Sequence, residues 1–445
     1  MSWLREALLD HARHHGAVLR CGADQIRFLK TPGAWHEHLL EQLERVKRRV
    51  VVSALYVGQD AREAELVQAM AHALDRERDL RVTIVMDAKR ATRSGKDNSL
   101  VALEPLLGDA KRAERVHVQL WKTPRLTARM ERLVPERMVE GVGVFHLKTA
   151  VFDDNVVLTG ANWSQSYFTD RQDRYMLVEG NRGLADFQEA TVKVLDASPS
   201  AEAIKVNLLS LLAAQRARDE AADAARGDVP PAGNEVAIVP TFQFGHAGLY
   251  HDSHFFTYLL DSLEPGSHLD VSTAYFNMPS EYRQALLETR AERVRVAMAA
   301  PDANGFLGSA GPSGYIPDAY AYYGRRFADE IAARSAPVDL VPWSRPGWTF
   351  HGKGVWYRAS AEADPWLTVI GSANYGSRSV KYDIESNFYL MTDPLKPCDA
   401  SLALNERMAA DCANVFAHTA PADDRTLPRP RRVGALLARL GEDHL

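Results

Sequence analysis

Two stretches of this chain carry the same polar signature. The first, FHLKTAVFDDNVVLTGANWS from Phe145 to Ser164, holds His146-x-Lys148, then Asp153, then Thr159-Gly160-Ala161-Asn162, with Asp173 beyond it. The second holds His351-x-Lys353, then Gly371-Ser372-Ala373-Asn374, then Glu385, with the same interval from asparagine to acid. Displacement at phosphorus builds negative charge on the non-bridging oxygens. Lysine ammoniums and asparagine amides can stabilise that charge without a metal. One imidazole can attack phosphorus to give a covalent phosphohistidine while the other moves protons, and an unperturbed pKa near about 6.5 suits both tasks. Two histidines, two lysines and two asparagines facing one point therefore make a site for a phosphodiester or pyrophosphate, with no metal and no cofactor in the expectation.

A single histidine on an apolar strand is more often structural, and a lysine beside it is usually surface decoration. The duplication favours function, because a buried Lys or His is costly without a partner. Within a strand, His and Lys of each pair project to the same face. The apolar residues that follow, AVF and VWY, anchor each strand, and the Gly/Ser/Asn turn returns a second polar group to the same sheet end. Asp173 and Glu385 fit the carboxylates that orient the imidazoles and fix their tautomers, with Asp173 expected behind His146. Arg358 stands in the second copy where Asp153 stands in the first. Asp153 therefore reads as structural support for its own turn or a nearby lysine.

The elements that must hold these groups repeat as well. The first half runs from an amphipathic helix (WHEHLLEQLERVKRR) to a β-branched run (VVVSALYVG), a helix, and the strands LRVTIVMD and VHVQLW. The second repeats the order with FFTYLLDSLE, LDVSTAYFNM, EYRQALLETRAE, VRVAMAAPD and VDLVPW. Short apolar strands alternating with helices predict α/β halves with parallel or mixed sheets. AAQRARDEAADAARGDVPPAGNE separates the halves and reads as the end of a helix running into a linker. The expected division is a first domain over residues 1–212, helix end and linker over 213–235, and a second domain with its basic tail over 236–445.

A chain of 445 residues is long enough for two cores, and 46% hydrophobic with 25% charged residues is a globular composition. The net charge of −5 gives no support for a nucleic-acid partner. Cys21, Cys398 and Cys412 form neither a disulfide framework nor a metal motif. No apolar run reaches the roughly 18–20 residues of a membrane span, and the opening segment holds acids and lacks the apolar core of a signal peptide. Any membrane contact is expected to be peripheral.

The paired His-x-Lys stretches resemble the HKD motifs of the phospholipase D superfamily, over both halves of the chain. Within it, GANWSQSYFTDRQDRY, AYFNM, PDANGFLGSAGPSGYIPDAYAYYGRRF and FHGKGVWY…LTVIGSANYGSRSVKYDIE resemble the eukaryotic-type phosphatidylglycerophosphate synthases, from about Phe28 to about Asp393. The resemblance implies two similar α/β sandwich domains related by a pseudo-twofold, with the active site at their interface. It implies transfer of a phosphatidyl group from CDP-diacylglycerol to glycerol 3-phosphate through a phosphohistidine, with His146 the preferred nucleophile and His351 the acid/base; the repeat itself leaves the reverse open. The incomplete second motif at Arg358 is a tendency of these synthases. Arg171, Arg174, Arg378 and Lys381 are candidate contacts to a dianionic acceptor. The Gly-rich PDANGFLGSAGPSGYIP is a candidate loop at the site mouth, whereas His246 and His251 read as structural. The tail RTLPRPRRVGALLARLGEDHL, and Trp3, Leu4 and Leu8, are candidate interfacial segments. The expected setting is the matrix side of the mitochondrial inner membrane in a eukaryote, or the cytoplasmic membrane face in a bacterium. Rival readings are a phosphatidylserine synthase, a phospholipase or nuclease, and a non-catalytic lipid-binding scaffold.

Overall fold

The computed structural model describes residues 2–93, 98–127, 140–198, 200–226 and 233–445. After the helix Ser2–His15 comes strand β1 (Leu19–Gly22), then β2 (Ile26–Leu29), β3 (Arg49–Ala54), β4 (Arg81–Asp87) and β5 (Val116–Trp121). The hairpin β6 (Thr149–Phe152) and β7 (Asn155–Thr159) follows, then the short β8 (Arg171–Gln172) and β9 (Tyr175–Val178). The second half supplies β10 (Glu235–Gln243), β11 (His268–Thr273), β12 (Arg293–Ala299), β13 (Val338–Trp343) and the short β14 (Thr349–Phe350). It ends its sheet with β15 (Gly354–Arg358), β16 (Leu367–Gly371) and β17 (Glu385–Met391).

One sheet runs β2-β9-β7-β6-β3-β4-β5 and the other β1-β10-β17-β16-β15-β11-β12-β13. With β1 set aside, the two orders are the same plan. Strands β3, β4 and β5 are parallel, as are β11, β12 and β13, and the remaining pairs of both sheets are antiparallel. The α/β class read from the alternating pattern is the class observed, in its mixed-sheet form.

The sheets share a core. Phe145, Val151, Leu158 and Met176 of the first half pack in one cluster with Phe242, Trp343, Trp356, Ile370 and Phe388 of the second. The outer face of each sheet is covered by helices of its own, around Leu39, Leu66 and Leu74 on one side and around Phe256, Leu286 and Phe327 on the other. Strands covered on both faces need continuous apolar runs, as VVVSA and LTVIG supply.

The start of the chain departs from the expected division. Strand β1 pairs with β10, in the second sheet. Leu4, Leu8, Leu9 and Ala12 of the first helix are buried against Phe255, Phe256 and Leu259. Leu4 and Leu8 thus face protein and not a membrane, because the apolar stripe of their helix completes the outer layer of the second sheet; Trp3 is exposed. Between the halves, Ala201–Arg226 is one helix. Residues 227–232 of the expected linker lie outside the described residues.

Candidate active site

The segments carrying the histidines cross from one half to the other. Phe145 bridges Ile384 in parallel, and the His146 amide donates to the Ile384 carbonyl at 3.0 Å. Strand β14 likewise pairs in parallel with β8, and the His351 amide donates to the Gln172 carbonyl at 2.8 Å. Each histidine therefore lies beside the strand that leads to the acid of the opposite half. His146 Nδ1 stands 2.9 and 2.8 Å from the two oxygens of Glu385, and His351 Nδ1 stands 2.6 Å from Asp173 Oδ2. The expectation that Asp173 orients His146 is corrected: the carboxylates are exchanged between halves. A register set by parallel pairing across the interface is invisible in the spacing within either copy.

His146, Lys148, Asn162, Asp173, His351, Lys353, Asn374 and Glu385 are all buried, and the histidines, lysines and carboxylates among them lie within electrostatic reach of one another. Burial, and then the ammonium of its own lysine, holds each imidazole well below its usual range. Burial lowers Lys148 to about 7 and Lys353 to about 8, and it raises Asp173 to about 6 and moves Glu385 upward as well. Near neutral pH both imidazoles are uncharged, donating Nδ1–H to a carboxylate and leaving Nε2 as a lone pair.

The lysines differ in placement. Lys148 Nζ donates to the His146 carbonyl at 2.7 Å. Lys353 Nζ donates to the His351 carbonyl at 2.8 Å and also stands 2.8 Å from His351 Nδ1 and 3.2 Å from Nε2. Because Nδ1 of His351 serves Asp173, this second approach presses an ammonium against the ring. His146 has no such encumbrance. Asn162 accepts from the Leu55 amide at 3.1 Å and donates to the Tyr167 hydroxyl at 3.2 Å, whereas the buried Asn374 Oδ1 has no partner among the described residues. Small residues are required where the halves meet: a Cβ on Gly160 would lie 2.9 Å from Asp173 Oδ1 and 3.3 Å from Lys353 Cδ.

The candidate cations separate into two kinds. Arg174 is fully buried, paired with Asp411 at 2.7 Å and bonded to the Lys353 and Val369 carbonyls and the Thr368 hydroxyl, so it fastens the halves together and is not a substrate contact. Lys381 pairs with Asp443 at 2.5 Å. Arg378 lies in the site paired with Asp383 at 2.9 Å. Arg171 donates to the Thr349 hydroxyl at 2.9 Å, and its guanidinium stands 4.7 Å from the centre of the Tyr167 ring.

Asp153 accepts from the amides of Lys47, Arg48 and Arg49 at 2.8–3.1 Å, from a turn residue with φ of 52°. Its positional counterpart Arg358 pairs with Asp270 at 2.7 Å. His251 Nδ1 accepts from the Phe242 amide at 3.4 Å, while His246 packs against Phe244. The Gly-rich loop does reach the site, since a Cβ on Gly305 would lie 3.0 Å from the Tyr275 hydroxyl.

Several site residues escaped the reading of the sequence. Tyr167 and Tyr275 present their rings edge-on to His351 at 5.0 and 5.7 Å. Ser379 donates to Glu385 at 2.8 Å, and Asp87 accepts from the Phe145 amide at 2.9 Å. Asp383 precedes Glu385 by two residues, just before β17 begins, a spacing that was open to reading. Its carboxylate, with His146 and Glu385, forms the grouping among the described residues that could hold a cation, all ligand atoms within 4.8 Å. Those carboxylates are already engaged by Arg378, the Val144 amide, His146 and Ser379.

Residues 39–193 match the family described as "Cardiolipin synthase, PLD-like domain". The CDP-diacylglycerol–glycerol-3-phosphate 3-phosphatidyltransferase of Gallus gallus, named mitochondrial, is 31% identical over 94% of this chain and 82% of its own. The Mus musculus protein of the same name is 32% identical over 92% of this chain and 81% of its own, and that of Saccharomyces cerevisiae 29% over 90% and 83%. Among solved structures, the phosphatidylserine synthase of Haemophilus influenzae Rd KW20 superposes with a TM-score of 0.73 and 20% identity, covering 98% of each chain, which shows a common fold.

Removing one member of a buried ion pair strands the other charge, at a cost of about 3–5 kcal/mol. Arg174→Met is expected to destabilise the protein by about that much in denaturant unfolding. A loss of under about 1 kcal/mol would show that Asp411 finds another partner.

Proposed function

The chain belongs to the family of CDP-diacylglycerol–glycerol-3-phosphate 3-phosphatidyltransferases, and from that membership we propose that it transfers the phosphatidyl group of CDP-diacylglycerol to glycerol 3-phosphate, releasing CMP, through a phosphohistidine at His146. The observation that carries the chemistry is the pair of buried neutral imidazoles, each anchored through Nδ1 by a carboxylate of the other half. A neutral Nε2 lone pair is a nucleophile at phosphorus and equally a base for an alcohol.

His146 is the better nucleophile of the two, because among the described residues no ammonium lies against its ring nitrogens. Its Nε2 attacks the phosphorus that bears diacylglycerol, and the bond to the CMP oxygen breaks. CMP leaves as a phosphate monoester, a weakly basic group that needs little acid assistance. The lowered pKa of His351 suits that first step and favours the second, where neutral His351 takes the proton of the acceptor's primary hydroxyl as its oxygen attacks phosphorus and the bond to His146 breaks. Lys148, Lys353, Asn162 and Asn374 are placed to stabilise the phosphoryl oxygens. Arg171 and Arg378 extend the positive field toward the acceptor.

A diacyl donor is met at a bilayer. The helix Arg432–Leu440 docks through Gly434 and Ala438 but leaves Val433, Leu436 and Leu440 exposed, with Arg429, Arg431, Arg432 and Arg439 nearby in sequence. Leu307 of the Gly-rich loop is exposed too. This apolar and basic surface supports peripheral contact with anionic lipid. Among the described residues no helix is long and apolar enough to cross a membrane.

Purified protein given CDP-diacylglycerol is expected to form phosphatidylglycerophosphate with glycerol 3-phosphate and no phosphatidylserine with L-serine. Absence of the glycerophosphate-dependent lipid overturns the assignment. His146→Ala should abolish both CMP exchange into CDP-diacylglycerol and net transfer. His351→Ala should slow discharge of the phosphatidyl-enzyme about 10²–10⁴-fold, and label trapped on His351 would reverse the roles.

The pH dependence has a definite sign. For CMP exchange, kcat/KM toward CDP-diacylglycerol reports the free enzyme, in which Lys148 and Lys353 lose their charge near pH 7 and 8. That ratio is expected to fall as pH rises through this window. A rising limb there would exclude charged lysines as the phosphoryl clamp. In vesicle sedimentation, Leu436→Asp combined with Leu440→Asp should weaken binding to anionic liposomes, and unchanged binding would move the contact elsewhere.

A further inference from the structure

The pseudo-twofold makes the two histidines alike, yet the residues leading to their carboxylates have opposite charge. One half reads Arg171-x-Asp173 and the other Asp383-x-Glu385. The His351 side of the site therefore carries a guanidinium where the His146 side carries a carboxylate, and this difference does not follow from the need to hold imidazoles.

Two other arginines at the centre of the molecule have carboxylate partners of their own: Arg174 with Asp411 and Arg378 with Asp383. Arg171 differs. Among the described residues no carboxylate lies within ion-pair distance of its guanidinium, which bonds the Thr349 hydroxyl and sits over Tyr167. Tyr56, Tyr167 and Tyr275 all lie within its electrostatic reach. Arg90 stacks 3.7 Å from the centre of the Tyr56 ring, and its buried Nη1 has no partner among the described residues. The Tyr56 hydroxyl is tied to Ser164 at 3.0 Å, which fixes the ring on which Arg90 rests.

The Gly-rich loop closes this corner. A Cβ at Gly305 would stand 3.3 Å from Arg171 Nη2 as well as 3.0 Å from the Tyr275 hydroxyl, so a glycine keeps the approach to the guanidinium open. The preceding residue, Asn304, is 1% exposed, and its Nδ2 donor has no acceptor among the described residues. Donors on Arg90 and Asn304 that no protein group satisfies among the described residues, beside an arginine without a carboxylate, have the chemistry to hold an anion. Tyr167 and Tyr275 also wall the His351 imidazole, so the corner is separated from the proposed base by little more than a ring.

We propose that Arg171 and Arg90, between the rings of Tyr56, Tyr167 and Tyr275, bind the phosphate monoester of the acceptor and so present its hydroxyl to His351. This deepens the phosphatidyl-transfer reading and rests on it. The dianion of glycerol 3-phosphate, not its glycerol carbons, is then the feature selected. On the other side Arg378, already neutralised by Asp383, offers less to a second dianion.

The test compares Arg171→Gln and Arg90→Gln with the parent enzyme in three assays: transfer to glycerol 3-phosphate, transfer to glycerol, and exchange of labelled CMP into CDP-diacylglycerol. Loss of a charge-assisted contact is expected to raise KM for glycerol 3-phosphate about ten- to a hundredfold per arginine. The preference for glycerol 3-phosphate over glycerol should collapse by a similar factor. The loss should fall on these acceptor-dependent quantities and not on the KM for CDP-diacylglycerol in exchange, and Arg171→Lys should restore part of the preference. A raised KM for CDP-diacylglycerol with an unaltered acceptor preference would place the arginines on the donor's pyrophosphate and overturn the proposal. An unaltered acceptor preference in both glutamine variants overturns it as well. If the parent enzyme exchanges no CMP, the phosphohistidine reading fails first; a variant that exchanges CMP but keeps its preference for glycerol 3-phosphate fails the subsite alone. Arg90→Gln, at a half-buried position, answers the question if Arg171→Gln does not fold.

Discussion

The structure depends on two short parallel pairings across its centre, Phe145 with Ile384 and β14 with β8. Each carries a histidine out of its own sheet and sets it against a carboxylate of the other. Burying two imidazoles, two ammoniums and two carboxylates is tolerable only when every charge meets an opposite charge or a fixed dipole. No half contains a complete set. The contacts between halves, including Arg174 with Asp411 and the close approach at Gly160, can be understood as what keeps these two crossings in register.

That arrangement also explains the electrostatics. A histidine beside a carboxylate in water would gain a proton more readily. Here burial and the adjacent lysine push the other way and keep both rings neutral. The same burial brings the lysines down toward neutrality, so the site is close to shedding protons before its phosphodiester substrate arrives. An incoming phosphate anion reverses that tendency by restoring the opposite charge.

Much of this was legible in the residues. His-x-Lys repeated with a Gly/Ser/Asn turn and an acid at one interval announced both the duplicated sheet and the convergence of its polar groups. What escaped was whatever depends on contact between the halves. Asp173 looks like the partner of His146 because it follows it in the chain, and only the parallel register with β14 assigns it to His351. Arg171 and Arg174 flank Asp173 within two residues, yet Arg174, in the link between β8 and β9, goes into the core against Trp356, while Arg171 in β8 stays in the cleft. The segment of β1 fell within the expected first domain only by its place in the chain, because local pattern says nothing about which sheet edge a short strand will join.

That first strand has a consequence for how the molecule is assembled. β1 lies on the edge of the second sheet, paired with β10, which itself needs β17 from near the far end of that half. On a growing polypeptide β1 is made early and its docking site is finished late. The loop it closes is among the longest in the molecule, an entropic cost met only once both sheets exist. The opening helix and strand thus act as a late-closing latch: they fasten around a finished core, and they tie the two halves together by the chain's own path as well as by packing.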